Sequence, residues 1–215
     1  LLLAFGCGMS SAAAELLLDG RAKALDAWPV LTALPDPDAS LDADQALQQL
    51  PRFEAPRVPA GNFGPRSEVM WLHIPVRVAM PDAAPAVDPL VGLLPDLASR
   101  RADHIAWILD IAYPPLNAVE VFVYRDGRLQ QQARLGSQLA VEARALPTRT
   151  LAAELKFDPG RYDVLLRVHT QSAMVVPVRF VDPGVFRFDE SRQLLLHGVA
   201  IGIALLLALY SLSHW

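Results

Sequence analysis

Between Val69 and Val78 the side chains alternate with a period of two. Met70, Leu72, Ile74, Val76 and Val78 fall on one side, and Val69, Trp71, His73 and Arg77 on the other. That period is the pleat of a β-strand with one face on an apolar core. Pro75, on the second face, marks an edge or a bulge because it has no N–H for a sheet ladder. The pattern recurs at Ile105 to Ile111, with Ile105, Trp107, Leu109 and Ile111 on one side. Further strands fit Ala118 to Tyr124, Arg128 to Leu135, Arg149 to Phe157, Tyr162 to Gln171 and Val175 to Val181. Pro114-Pro115, Asp126-Gly127, Pro159-Gly160 and Pro183-Gly184 supply turn chemistry between them, and Asp126-Gly127 is a hairpin signal. About seven short strands with regular turns and no βαβ alternation predict an all-β fold, a jelly-roll-like β-sandwich.

The two ends are apolar. LLLAFGCGMSSAAA, residues 1–14, reads as a truncated signal peptide, with Ala12 and Ala14 as the small residues before cleavage at Glu15. Lipidation at Cys7 is the rival, but Phe5 fits that processing motif poorly. Cleavage after Ala14 removes the one cysteine in the chain, so the mature domain holds no internal disulfide and no thiolate metal site. Residues 194–215, LLLHGVAIGIALLLALYSLSHW, contain no Asp, Glu, Lys or Arg. The run matches the ~20 residues needed to cross a bilayer and predicts a transmembrane helix. The expected organisation is a signal peptide over 1–14, a periplasmic domain over 15–190 and the first transmembrane helix over 194–215, held in a bacterial inner membrane.

Before the sheet, SLDADQALQQL predicts a short surface helix with Ser40 as its N-cap and Leu41, Ala46, Leu47 and Leu50 on one face. Glu15 to Trp28 suits either a first strand or a lead-in segment. Residues 81–103, rich in Ala, Pro and Asp, read as a long connecting loop. The net charge of −4 and the scattered arginines leave no electrostatic footprint for nucleic acid.

Catalytic signatures are missing: the chain has no HExxH, GxSxG, GxGxxG or phosphate-loop sequence. Asp110 and Glu120 form the one carboxylate pair worth weighing as a glycosidase-type acid and base. His73, His104 and His169 lack the spacing of a metal site, and no cofactor is implied. The set that suits a small ligand lies on the off-core faces of the strands: Trp71, His73 and Arg77, then Glu120 and Tyr124, then Arg167 and His169. Aromatic faces with planar donors fit sugars or carboxylates.

The order of these pieces resembles the extracellular type-2 domain of bacterial seven-transmembrane receptors with diverse intracellular signalling modules. The likeness is carried by SLDADQALQQLPRFEAP, VMWLHIPVRV, WILDIAYPPLNAVEVFVYRDG, YDVLLRVHTQSAMVVPVRF and LLLHGVAIGIALLLALY. Trp71 matches the family's first sandwich strand, whereas His73 stands where arginine is common. Trp107, Leu109, Asp110, Tyr113, Pro114, Leu116 and Tyr124 resemble its most recognisable stretch, and Arg167 with Ser172 its last paired strands.

The resemblance implies a sensor that binds a carbohydrate-like or carboxylate ligand and relays to a cytoplasmic cyclase or kinase module encoded elsewhere. The expected ligand-binding residues are Trp71, His73, Arg77, Tyr113, Tyr124, Arg167 and His169, with a possible homodimer or partner receptor. Two other classes stay open at this point: a protein-interaction domain that uses the same face, and a membrane-anchored carbohydrate-active enzyme.

Overall fold

The computed structural model describes residues 14–59, 61–79, 105–140, 144–146, 148–188, 201–207, 210 and 211. Twelve strands carry the described fold: β1 (Leu16–Leu18), β2 (Ala24–Asp26), β3 (Thr32–Asp36), β4 (Asn62–Pro65), β5 (Val69–Val78), β6 (Ile105–Ile111), β7 (Ala118–Arg125), β8 (Arg128–Leu135), β9 (Leu151–Phe157), β10 (Gly160–His169), β11 (Ala173–Val175) and β12 (Val178–Val181). Helix α1 (Ala43–Gln48) falls between β3 and β4.

Six strands form the larger sheet, in the order β1-β5-β10-β7-β8 with β3 also on β5. Four form the second, β2-β12-β6-β9, and β4 pairs with β11 alone. The alternation seen along β5 sets the arrangement. Met70, Leu72, Ile74, Val76 and Val78 point inward with Val119, Val121, Val164, Leu166 and Val168, against Trp107, Leu109, Ile111, Ala153, Leu155, Phe157 and Phe180 of the second sheet. Each large side chain removed from water this way contributes about 1.5–3 kcal/mol before the entropy of ordering is subtracted.

On one side of β5, β3 pairs along Val69 to His73 and β1 along Val76 to Val78. Pro75 falls in the gap between these two partners, which is how a strand inside the sheet accommodates it. The β7–β8 hairpin turns on Asp126 (φ 51°) and Gly127 (φ 73°). Positive φ at both positions is the two-residue turn that matches strand twist.

The larger sheet is mixed, because β1 runs parallel to β5 with Leu16 and Leu18 in the shared core. Several expectations are corrected. The N-cap of α1 is Asp42, not Ser40: Asp42 Oδ1 accepts from Gln45 N at 2.7 Å and Gln45 Oε1 accepts from Asp42 N at 3.0 Å, a reciprocal capping box. Val175 to Val181 is two strands, broken at Pro177, where Val176 N donates instead to Gly61 O. Pro183-Gly184 starts a helical segment, 183–188. Asp182 caps it through Gly184 N and Val185 N, with proline at the first helical position where no N–H is missed.

The transmembrane helix expected over 194–215 is also corrected, and with it the inner-membrane placement that depended on it. Among the described residues no helix is long and apolar enough to cross a membrane. Of that stretch residues 194–200, 208, 209 and 212–215 lie outside the described residues, as do residues 1–13 of the expected signal peptide, the 81–103 loop and His104.

Candidate functional site

Register brings together, on the outer face of the larger sheet, side chains that are far apart in the chain. Leu34, Trp71, Arg167, Glu120 and Arg134 stand in one cross-strand row over β3, β5, β10, β7 and β8. The next row is Thr32, His73, Leu165, Phe122 and Gln132. Tyr124 follows, opposite Asp163.

Helix α1 lies on this face and converts its apolar part into a second core. Ala46 of the helix is buried with Leu34, Phe53, Val69, Trp71, Phe122, Tyr124 and Leu165, and Leu47 packs against them. Trp71 has no exposed surface and packs on Phe122 at 5.9 Å between ring centroids.

Two carboxylates fasten the start of α1. Buried Asp36 accepts from Ser40 N (3.1 Å) and Ser40 Oγ (3.4 Å) on one oxygen, and from Leu41 N (3.0 Å) and Trp71 Nε1 (3.4 Å) on the other. Burial pushes the Asp36 pKa up, and the donors of Leu41, Ser40 and Trp71 together outweigh it and hold the carboxyl below its ordinary value. The second carboxylate is Asp44, whose Oδ1 accepts from Tyr124 Oη at 2.7 Å. Burial first, then this hydrogen bond and the charges of Asp44 and Asp42, push the Tyr124 hydroxyl pKa well up.

Between the first turn of α1 and the sheet a cleft of about 490 Å³ remains. Leu41, Asp42, Ala43 and Asp44 form one wall, Phe122 and Tyr124 the floor with Trp71 under it, and Glu120, Arg167 and Leu129 the far side. Arg167 Nη1 donates to Glu120 Oε2 at 3.4 Å, and Glu120 Oε1 lies 3.4 Å from Arg134 Nε. The cleft therefore offers one guanidinium and several carboxylate acceptors beside an apolar floor. Trp71 lies beneath that floor without exposed surface, so its support is indirect.

Of the expected ligand-binding residues, Trp71, Tyr124 and Arg167 meet at this cleft. His73 does not line it: Nε2 is 2.8 Å from Asp163 Oδ1, Nδ1 is 3.5 Å from Thr32 Oγ1, and Phe53 packs edge-on against the ring. It ties β3, β5 and β10 together. Arg77 is exposed and stands opposite Arg161, six residues and about 20 Å along the strand from Trp71. Tyr113 packs against the main core after β6. His169, half-buried opposite Ala118, lies on the same face as Arg167 but beyond the cleft.

The sequence reading missed Asp36, Asp42, Asp44, Phe122 and Leu129. The D-x-x-Q capping box at Asp42 would have placed the start of the helix. Nothing local shows that the helix docks over Trp71.

The described residues contain no group of acidic, histidine or cysteine side chains placed to hold a metal ion. Asp110 and Glu120 do not form a catalytic pair. Asp110 sits on the outer face of the second sheet beside Arg179, and Glu120 on the outer face of the first.

The family described as 7TMR-DISM extracellular 2 matches residues 29–182, from just before β3 through β12 and including every residue of the cleft. The chain belongs to this family. A 7TMR-DISM extracellular 2 domain is a non-catalytic sensor module of a signalling receptor, positioned outside the cytoplasm, which removes the enzyme alternative. No curated protein matches the chain.

Proposed function

We propose that the cleft between α1 and the larger sheet is where this 7TMR-DISM extracellular 2 domain binds its signal, a small sugar-like molecule. The supporting observation is the convergence of Arg167, Glu120, Asp44 and the Tyr124 hydroxyl around one cavity beside Phe122 and Leu129. Hydroxyl groups need both donors and acceptors at fixed positions, and the ring's C–H face needs an apolar surface.

Occupancy is proposed to travel along β10. That strand carries Arg167 and leads through β11 into β12 and the helical segment 183–188, whose Phe186 is buried against Ile108 and Val181. A ligand shifts such a system only as far as its affinities for the two states differ. The readout is proposed to be an intracellular signalling module of the same receptor.

The test is calorimetric titration of the purified chain with neutral monosaccharides and disaccharides, repeated with Arg167→Ala. Saturable binding weakened at least about tenfold, about 1.4 kcal/mol, by the substitution supports the reading. Binding indifferent to Arg167→Ala places the ligand elsewhere. Absence of any binding, with another exported protein bound through Arg167 and Leu129, replaces the reading with a protein-docking one.

A further inference from the structure

The charge around the cleft is unequal. Asp42, Asp44 and Glu120 line it against the single cation of Arg167. Glu120 is already matched, lying within salt-bridge distance of both Arg167 and Arg134. Asp42 and Asp44 are not: their oxygens accept from the Gln45 amide and the Tyr124 hydroxyl, which are neutral donors. No cationic side chain among the described residues pairs with either. Both carboxylates are on exposed residues of the α1 wall, and each has a second oxygen besides the Oδ1 that accepts these bonds.

An anionic ligand entering here meets two unneutralised carboxylates, while the one guanidinium is held by Glu120. A neutral polyol meets acceptors in excess of donors. A ligand that also carries a protonated amine supplies both the donors and the opposite charge. Resting on the cleft being the sensor's ligand site, we infer that the ligand is a polyhydroxylated molecule bearing an ammonium group, of the amino-sugar class, with Asp42 and Asp44 receiving the ammonium. An ammonium bound at Asp44 competes with the Tyr124 hydroxyl for its carboxylate, so binding is coupled to the fastening of α1 on the sheet.

Three probes share one ring and differ in charge: D-glucosamine as its cation, D-glucose and D-glucuronate. Titration of the full chain at low salt, at a pH where the amine is protonated, is expected to give glucosamine about tenfold tighter than glucose and glucuronate weakest. Added salt is expected to narrow the gap, because exposed charges are screened. Asp42→Asn and Asp44→Asn keep the helix cap and the acceptor for Tyr124, and the double variant is checked for an unchanged melting temperature. It is expected to remove the difference between glucosamine and glucose, the two binding the double variant with equal affinity.

Glucose or glucuronate binding as tightly as glucosamine overturns the amine inference and leaves the sugar reading standing. A glucosamine preference that survives the double substitution overturns the assignment to Asp42 and Asp44. Binding of none of the three overturns both.

Discussion

The indole N–H of Trp71 is 3.4 Å from Asp36 Oδ2, and that oxygen also accepts the amide of Leu41 at 3.0 Å. One carboxylate thus joins the central strand to the segment that leads into α1. Trp71→Phe keeps much of the packing with Phe122 and loses the hydrogen bond, with an expected cost of about 1–2 kcal/mol. Trp71→Ala empties the space beneath the helix, at about 3–5 kcal/mol. Urea unfolding of the two variants measures the difference. The same experiment tests whether the tryptophan acts as support, since binding at the cleft should survive Trp71→Phe.

Acid should act through Asp36 and Asp182. Both have folded pKa values below the ordinary 3.8. In Asp182, as in Asp36, burial raises the value and is outweighed, here by Lys23 at 3.0 Å and the amides of Gly184 and Val185. A depressed carboxyl contributes its full stabilisation above the unfolded value and loses it as pH falls through the folded one. The melting-temperature gap between the native chain and Asp36→Asn is therefore expected to be constant from pH 7 to about 5 and to shrink below about 4. A gap that widens in acid would contradict this.

Asp110 is 1 % exposed and its Oδ2 is held by Arg179 Nη2 at 2.6 Å, while Oδ1 is buried without a hydrogen-bond partner. Removing the guanidinium leaves a buried carboxylate with nothing to balance it. Arg179→Ala is expected to cost about 3 kcal/mol, and Arg179→Ala with Asp110→Leu markedly less, because the stranded charge goes with the second change. A double-mutant cycle in urea reads the coupling directly.

Gly136, at φ 138°, is the residue where β8 ends against the start of β7. A Cβ there would lie 2.2 Å from the backbone oxygen of Asn117 and 2.9 Å from Ala118 Cα. Neither neighbour is a side-chain tip that can swing away. Gly136→Ala is expected to cost at least about 3 kcal/mol or to abolish folding, whereas Gly127→Ala, with open space around it, should cost about 1–2 kcal/mol from its backbone conformation alone. Expression yield and melting temperature separate the two.

The strands were legible in the sequence because their cause is local. A two-residue period along Val69–Val78 or Ile105–Ile111 states which side is apolar, and Asp126-Gly127 states where the chain reverses. The family was legible for the same reason, in the order of those segments. What the sequence left open depends on contacts between distant residues. Arg167 meets Trp71 and Glu120 only through the pairing of β10 with β5 and β7, and an alternating strand can pair in several registers that bury its apolar face equally well. The same holds for α1. Its apolar positions could be read, but not that they would cover Trp71 and turn an expected ligand plate into a buried support, leaving the cleft to Asp42, Asp44, Tyr124 and Arg167. Burial and ion pairing are properties of what comes to lie opposite a side chain, and only the folded chain decides that.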